Sequence, residues 1–386
     1  MVQKRAIVIV LDGCGAGEAP DSAYFGNDDH PSTLLHVWEA TGGFKAPTLA
    51  ACGFLRAGGI IGSHGGSIGR PVRFGRLQEI SLGGKDSITG HWEMMGAVTD
   101  RPFPTYPQGF PIQLVKSFER AIGTQVLGNR AASGTQIIDE LGELHVETGF
   151  PILYTSADSV FQLACHESVV PIDRLYEMCR IARELCVAPN AVQRVIARPF
   201  VGDVRSGFKR TDRRKDFPLP PPRNLIDVIG DVYGIGAIPD LFAHRGFREV
   251  PRSGNNAEHE VELWKALDSK ARFIFANFED FDMLYGHRND PAGFASALES
   301  FDQTLALLLS RLRSDDVLLL TADHGNDPTS TSTDHSREYV PVSVIGPSVG
   351  NDERALGDVV GMTAVGATVA SHLDIDWPIG TNLLGL

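Results

Sequence analysis

Val317-Leu-Leu-Leu-Thr-Ala-Asp-His-Gly-Asn-Asp327 decides how this chain is read. A short apolar run that ends in small residues is the pattern of a buried strand. Asp323 and His324 stand at its carboxyl end, and Gly325 behind them lets the backbone turn sharply. Ligands gather outside the carboxyl ends of strands in open α/β sheets. A hard oxygen beside an imidazole nitrogen is a donor set suited to zinc or manganese. An isolated Asp-His pair is more often structural than ligating, so its meaning depends on the rest of the chain.

Working outward, the same pattern recurs. Ala6–Leu11 is an apolar run that ends at Asp12, and Phe273–Asn277 leads into Asp282 and His287. His335 follows in Thr333-Asp-His335. Asp12, Asp282 and Asp323 with His287, His324 and His335 make two sets of about three protein ligands, leaving open positions for a phosphate and a nucleophile. Two metals ~3.5–4 Å apart would clamp a phosphoryl group and lower the pKa of a coordinated hydroxyl. The hydroxyl that suggests itself is Ser87, in Gly83-Gly-Lys-Asp-Ser-Ile-Thr-Gly90, a glycine-flanked turn that opens a helix. The plainer reading, that Ser87 caps this helix, is compatible with the first. Gly13-Cys-Gly-Ala-Gly17 resembles a dinucleotide-binding loop, but Pro20, Asp21 and the polar stretch to Asp29 supply no helix after it.

The 386 residues exceed the ~250–300 at which one core stops growing, so two domains are expected. Apolar content of 42% and charged content of 22% are those of a soluble globular protein. A formal charge of −13 argues against nucleic acid or an anionic membrane as partner. It leaves room for an anionic substrate, because bound metal reverses the local field. The first apolar run is too short for a signal peptide and meets Asp12 rather than a cleavage site, and no stretch is long enough to span a bilayer. Cysteines 14, 52, 165, 179 and 186 have no framework spacing and suit reduced, cytoplasmic thiols.

Proline-rich segments, Arg101-Pro-Phe-Pro-Thr-Tyr-Pro107 and Asp216-Phe-Pro-Leu-Pro-Pro-Pro222, bracket a change of character. The spacing predicts an amphipathic helix through Ile172–Cys186 and strands at 151–155 and 194–198 between them. The expected class is therefore α/β: a core of residues 1–99 and 223–386 built on a central, mostly parallel sheet, and a smaller inserted α/β domain at 100–222. A core helix is expected at 295–313.

Longer strings carry a resemblance. Gly84–Glu93, Asn129–Thr135, Tyr154–Ser159, Ile196–Gly202, Asp282–Arg288, Thr321–Pro328 and Asp334–Pro341 resemble the phosphopentomutases of the alkaline phosphatase superfamily, with matches from residue 7 to about 370. The resemblance implies an alkaline phosphatase-like, metal-bearing core, a mobile cap and a dimanganese site in a cytoplasmic isomerase of nucleoside metabolism. Such enzymes interconvert ribose 1-phosphate and 5-phosphate, and the 2-deoxy pair, through a phosphorylated hydroxyl primed by a sugar bisphosphate activator. Carried over, Asp12, Asp323 and His324 hold one metal, Asp282, His287 and His335 the other, and phosphorylated Ser87 bridges them. Ser156 and Asp158 face the sugar, and Arg194 and Arg210 the distal phosphate.

Two positions depart from the family pattern: Ser87 replaces its usual threonine nucleophile, and Ala237 stands where a phosphate-binding lysine is usual. Loss of that contact is worth roughly 1.5–3 kcal/mol. Arg245 and Arg248 are the candidate replacements, and a modified pentose phosphate is the alternative. The competing functions are a metal-dependent sugar-phosphate phosphatase of the same superfamily and a silent paralogue that only binds sugar phosphate.

Overall fold

The computed structural model describes residues 4–26, 30–61, 66–156, 158–346, 349 and 354–386. Residues 27–29, the end of the polar stretch after Pro20 noted above, lie outside it. The strands, numbered along the chain, are β1 (Arg5–Leu11), β2 (Val72–Gln78), β3 (Leu127–Ala131), β4 (Ile152–Thr155), β5 (Val160–His166), β6 (Arg194–Asp203), β7 (Gly207–Arg210), β8 (Lys215–Pro218), β9 (Tyr233–Ile235), β10 (Phe273–Phe278), β11 (Asp316–Thr321), β12 (Val340–Ile345) and β13 (Arg354–Val360). They fall into two compact units, Met1–Arg101 with Pro221–Leu386, and Pro102–Pro220. Both divisions lie in the proline-rich segments.

The first unit holds a sheet in the order β13-β2-β12-β11-β1-β10-β9. β1 runs parallel to β10 and β11, β9 is parallel to β10 and β13 to β2; only the pairings of β12 with β11 and β2 are antiparallel. The expectation of a mostly parallel central sheet is met. β1, β10 and β11 are buried along their whole length, which is why they read as unbroken apolar runs rather than alternating ones. At their amino ends Arg5 forms a buried two-point ion pair with Asp316, Nε–Oδ1 3.1 Å and Nη2–Oδ2 2.5 Å. At the other end Leu11 is in register with Phe278, and Val10 with Thr321. That register delivers Asp12, Asp323 and the segment after Phe278 to one edge.

The long helix spans Pro291–Arg311, four residues earlier at its start than the spacing suggested. Pro291 accounts for this: it fits the first turn, and Asp290 before it caps the helix by accepting from Gly293 N. Leu312, read as helical, lies past the end in extended conformation yet stays buried.

The second unit carries a mixed sheet, β3-β4-β5-β6-β7, with β8 against β6. Helices Ile112–Ile122 and Ile172–Leu185 bury Phe118, Leu175 and Cys179 against one face. Helix Gly134–Thr148 packs Ile137 and Ile138 on the other, beside Tyr154 and Phe200. All five cysteines are free and buried, and no described helix is long and apolar enough to cross a membrane.

Candidate metal and nucleophile site

Asp12, Asp282, Asp323 and His324 are each at most 5% exposed at the carboxyl edge of the first unit's sheet. His324 Nε2 lies 3.3 Å from Asp12 Oδ1 and 3.2 Å from Asp323 Oδ2. His287 Nε2 and His335 Nε2 lie 3.2 and 3.4 Å from the two oxygens of Asp282. Donor atoms of Asp282, His287 and His335 fall within 4.8 Å of one another, as do those of Asp12, Asp282 and His324. The structure thus brings all six residues singled out from sequence together, with Asp282 central to both groups.

Helix Ser87–Met94 presents the nucleophile candidate. Asp86, not Ser87, is its N-cap: the Asp86 carboxylate accepts from Ile88 N at 3.0 Å and Thr89 N at 3.1 Å. Ser87 is therefore released from the capping duty that its sequence context also allowed. Its Oγ sits 3.1 Å from His324 Nε2 and 3.4 Å from Asp12 Oδ1. Gly90 lets the helix approach this closely, since a Cβ there would lie 2.3 Å from the Asp323 carbonyl oxygen. His91, fully buried one turn on, donates Nδ1–H to Ser87 O at 2.7 Å and stands 3.3 Å from Asp323 Oδ2.

Gly325 needs a different account from the one its sequence position suggested. Its backbone is not left-handed, so the turn does not require glycine. What requires it is room: a Cβ would meet Glu338 Oε1 at 2.2 Å. That buried carboxylate accepts from Gly17 N (3.0 Å), Thr33 N (3.0 Å), Thr33 Oγ1 (2.6 Å) and Ser336 Oγ (2.7 Å). It ties down the glycine loop after β1, which is thereby a structural turn.

Asn277 and Asn326 are site residues that sequence reasoning missed. Asn277 Nδ2 donates to Asp12 Oδ2 at 2.5 Å, and Asn326 Nδ2 to Asp282 Oδ1 at 2.6 Å. Position was a usable signal for Asn277, which is paired with Val10 just before Asp12.

The electrostatics favour a cation. Among the described residues, only histidines approach the three carboxylates within ion-pair distance. Burial, then the charges of Asp323 and Asp282, push the Asp12 carboxyl well above its usual range. Asp282, against the desolvation of its burial, is held well below it by His287 and His335. Asp282 in turn raises His287 to about 9. Asp323 Oδ2 is buried beside the His324 and His91 ring nitrogens, at 3.2 and 3.3 Å, without a well-aligned hydrogen bond to either. Three buried carboxylates, three imidazoles and a carboxylate oxygen without an aligned donor fit divalent metal.

Ala237 N donates to Glu279 Oε2 at 3.0 Å, and its methyl offers no charge. Neither candidate replacement for the missing lysine is free to serve. Arg245 is bound to Asp227 at 2.5 and 2.8 Å and to the carbonyls of Pro221 and Pro222, and Arg248 pairs with Asp231 at 2.6 Å.

In the second unit, Ser156, Asp158, Arg194 and Arg210 line one cavity of about 340 Å³. Tyr154, Gln162, Arg198 and Arg214 line it too and went unnoticed in the sequence. Alternation was the available signal, because Arg194, Ile196 and Arg198 share one face of β6.

Residues 245–377 match the model of the metalloenzyme superfamily, which gives the class. The phosphopentomutase of Dictyoglomus thermophilum is 51% identical over 354 residues, covering 89% of this chain and 88% of that one. That of Acetivibrio thermocellus is 47% identical over 390 residues and covers 99% of both; that of Herpetosiphon aurantiacus is 46% identical over 392, covering 99% and 98%. The chain belongs to the phosphopentomutase family.

Proposed function

We propose that the chain interconverts ribose 1-phosphate and ribose 5-phosphate, or the 2-deoxy pair, by phosphoryl transfer through Ser87. The observation that carries this is the Ser87 Oγ, 3.1 Å from His324 Nε2 and 3.4 Å from Asp12 Oδ1, beside three buried carboxylates. Asp12, Asp323 and His324 would hold one Mn²⁺, and Asp282, His287 and His335 a second; bound there, the metals supply Lewis-acid polarisation of a phosphoryl group and a lowered hydroxyl pKa. Ser156, Asp158, Arg194 and Arg210 receive the sugar phosphate, a small-molecule partner. The phosphoryl group of Ser87 passes to the sugar hydroxyl as the Ser87 P–O bond breaks, giving a bisphosphate. The opposite phosphate then returns to Ser87, leaving the isomeric monophosphate. A sugar bisphosphate serves as activator by phosphorylating Ser87 at the outset. Free buried thiols fit a cytoplasmic setting.

The test supplies ribose 5-phosphate, Mn²⁺ and glucose 1,6-bisphosphate and measures ribose 1-phosphate. Intact mass should show one phosphate on the protein, lost in Ser87→Ala with metal content unchanged. Release of inorganic phosphate without isomerised sugar would replace this reading with that of a phosphatase.

A further inference from the structure

Ser253, His259 and Glu279 are buried polar residues of the first unit that the chemistry described so far does not use. His259 lies one turn into helix Asn256–Asp268, where its ring packs edge-on against Phe278. His259 Nδ1 meets Ser253 Oγ at 2.8 Å, and Nε2 meets Glu279 Oε1 at 3.1 Å. Glu279 offers only acceptors, so it places a proton on Nε2.

The turn after β9 is shaped around this pair. The register of β9 on β10 sets Ile235 opposite Ala276 and so brings the turn beside Asn277. Gly236 there is left-handed, φ +69°, and a Cβ on it would lie 2.6 Å from Asn277 O and 3.3 Å from both Glu279 Oε1 and His259 Nε2. Ala237 N donates to Glu279 Oε2 at 3.0 Å. The carboxylate is thus pinned at one oxygen by a helix and at the other by a turn.

From Glu279 the contacts lead into the metal site. Asn277 and Glu279 are two positions apart at the end of β10, so their side chains point the same way. Asn277 Nδ2 donates to Asp12 Oδ2 at 2.5 Å and lies 3.5 Å from Glu279 Oε2. An amide nitrogen carries two N–H groups, one for each carboxylate. Asn277 Oδ1 is buried and accepts nothing, so the amide is oriented through its nitrogen alone. Turned over, it would set its oxygen against the Asp12 carboxylate. With Oδ2 engaged in this way, Asp12 Oδ1 is left facing His324 Nε2 at 3.3 Å and Ser87 Oγ at 3.4 Å.

We propose that Glu279, held by His259 and the Ala237 amide, is a positioning residue: it orients the Asn277 amide, which in turn keeps Asp12 Oδ1 facing the place where metal would bind. The inference rests on the metal assignment made above and adds to it a residue outside the ligand set. Partners of this kind typically change metal affinity by about 10- to 100-fold.

The test titrates Mn²⁺ into the chelator-stripped full chain and reads free Mn²⁺ by electron paramagnetic resonance. Glu279→Ala should weaken one of the two sites by about tenfold or more. In an Asn277→Ala background the same change should cost no more than about twofold further, because its effect passes through the amide. Glu279→Gln still offers an oxygen to Asn277 and Ala237 while His259 takes its other tautomer, and should stay within about threefold of the parent. His259→Phe keeps a ring against Phe278 and removes only the anchor of Glu279 Oε1 and the partner of Ser253. It should weaken the same site by about threefold or more, and it serves if Glu279→Ala does not fold. Either folded variant with both Mn²⁺ affinities within about twofold of the parent overturns the proposal, whatever its melting temperature, and marks the pair as purely structural. So does full additivity of Glu279→Ala with Asn277→Ala, or a loss in Glu279→Gln as large as in Glu279→Ala, which would make charge the cause. A parent chain that binds no Mn²⁺ would sink the metal assignment instead.

Discussion

Replacing Gly90 by alanine tests whether the helix carrying Ser87 is seated by close contact with Asp323. Taken alone, the change favours the helix, because alanine is better than glycine in a helix interior by roughly 0.5–1 kcal/mol. Against this stands the new methyl, 2.3 Å from the Asp323 carbonyl oxygen and 3.1 Å from the Asp323 Cβ. Relief to ordinary contact requires a displacement of about 1 Å, and overpacking of this kind costs about 1–3 kcal/mol. The steric loss therefore exceeds the helical gain. The larger consequence is chemical: Ser87 and Asp323 move apart, and a shift of about 1 Å at a reacting group costs on the order of 10²-fold in rate. Gly90→Ala should lower kcat by about that factor while KM for ribose 5-phosphate changes little, since the second unit's cavity is untouched. Steady-state assays with Mn²⁺ and activator, together with metal analysis, read both quantities. A variant with wild-type kcat would refute the idea that this contact sets the position of Ser87.

Metal binding should release protons. His287 is raised to about 9 by Asp282, so it must lose a proton held near neutrality before it ligates. The Mn²⁺ affinity of the chelator-stripped chain should therefore climb from pH 6.5 to 8.5; a flat profile contradicts the assignment. Arg337 is 1% exposed, pairs with Glu79 and Asp21, and donates to Gly84 O at 3.2 Å. Arg337→Met strands the buried Glu79 and should cost about 3–5 kcal/mol in urea unfolding, whereas a change below 1 kcal/mol would show the pair to be dispensable. His145 donates Nδ1–H to Phe150 O at 2.7 Å and accepts from His166 N at 2.8 Å, and burial lowers its pKa. With the folded pKa below the unfolded one, the unfolded chain binds more protons, so stability present above pH 6.5 is lost as pH falls towards the folded value. Hydrogen exchange around β5 should accelerate at pH 5.5 relative to the intrinsic rate; stronger protection there would reverse the sign.

What the sequence made legible follows from periodicity and position. β1, β10 and β11 announce themselves because strands covered on both faces are apolar through their middles, with polar residues confined to or near their ends. Asp12, Asp323 and His324 are then placed by the rule that sites lie past strand ends. Contacts between distant segments were not legible. Gly325 looked like a turn and is a space for Glu338, a residue thirteen positions on, and Gly90 gave no sign of the carbonyl it packs against. Arg245 and Arg248 seemed available beside Ala237, but their carboxylate partners Asp227 and Asp231 could be recognised only once the chain had folded back. Arg198 and Tyr154 were within reach of the alternation rule, and only their juxtaposition across three strands reveals a shared cavity.

The place of β1 between β10 and β11 has a consequence for biosynthesis. This largely apolar strand is synthesised well before either of its sheet neighbours, both of which are encoded beyond residue 272. The inserted unit, complete by Pro220 with its own hydrophobic interior, can fold while β1 still waits. During that interval the nascent chain displays an unpaired, aggregation-prone edge, which makes Arg5–Leu11 the segment where a co-translational chaperone would find its client.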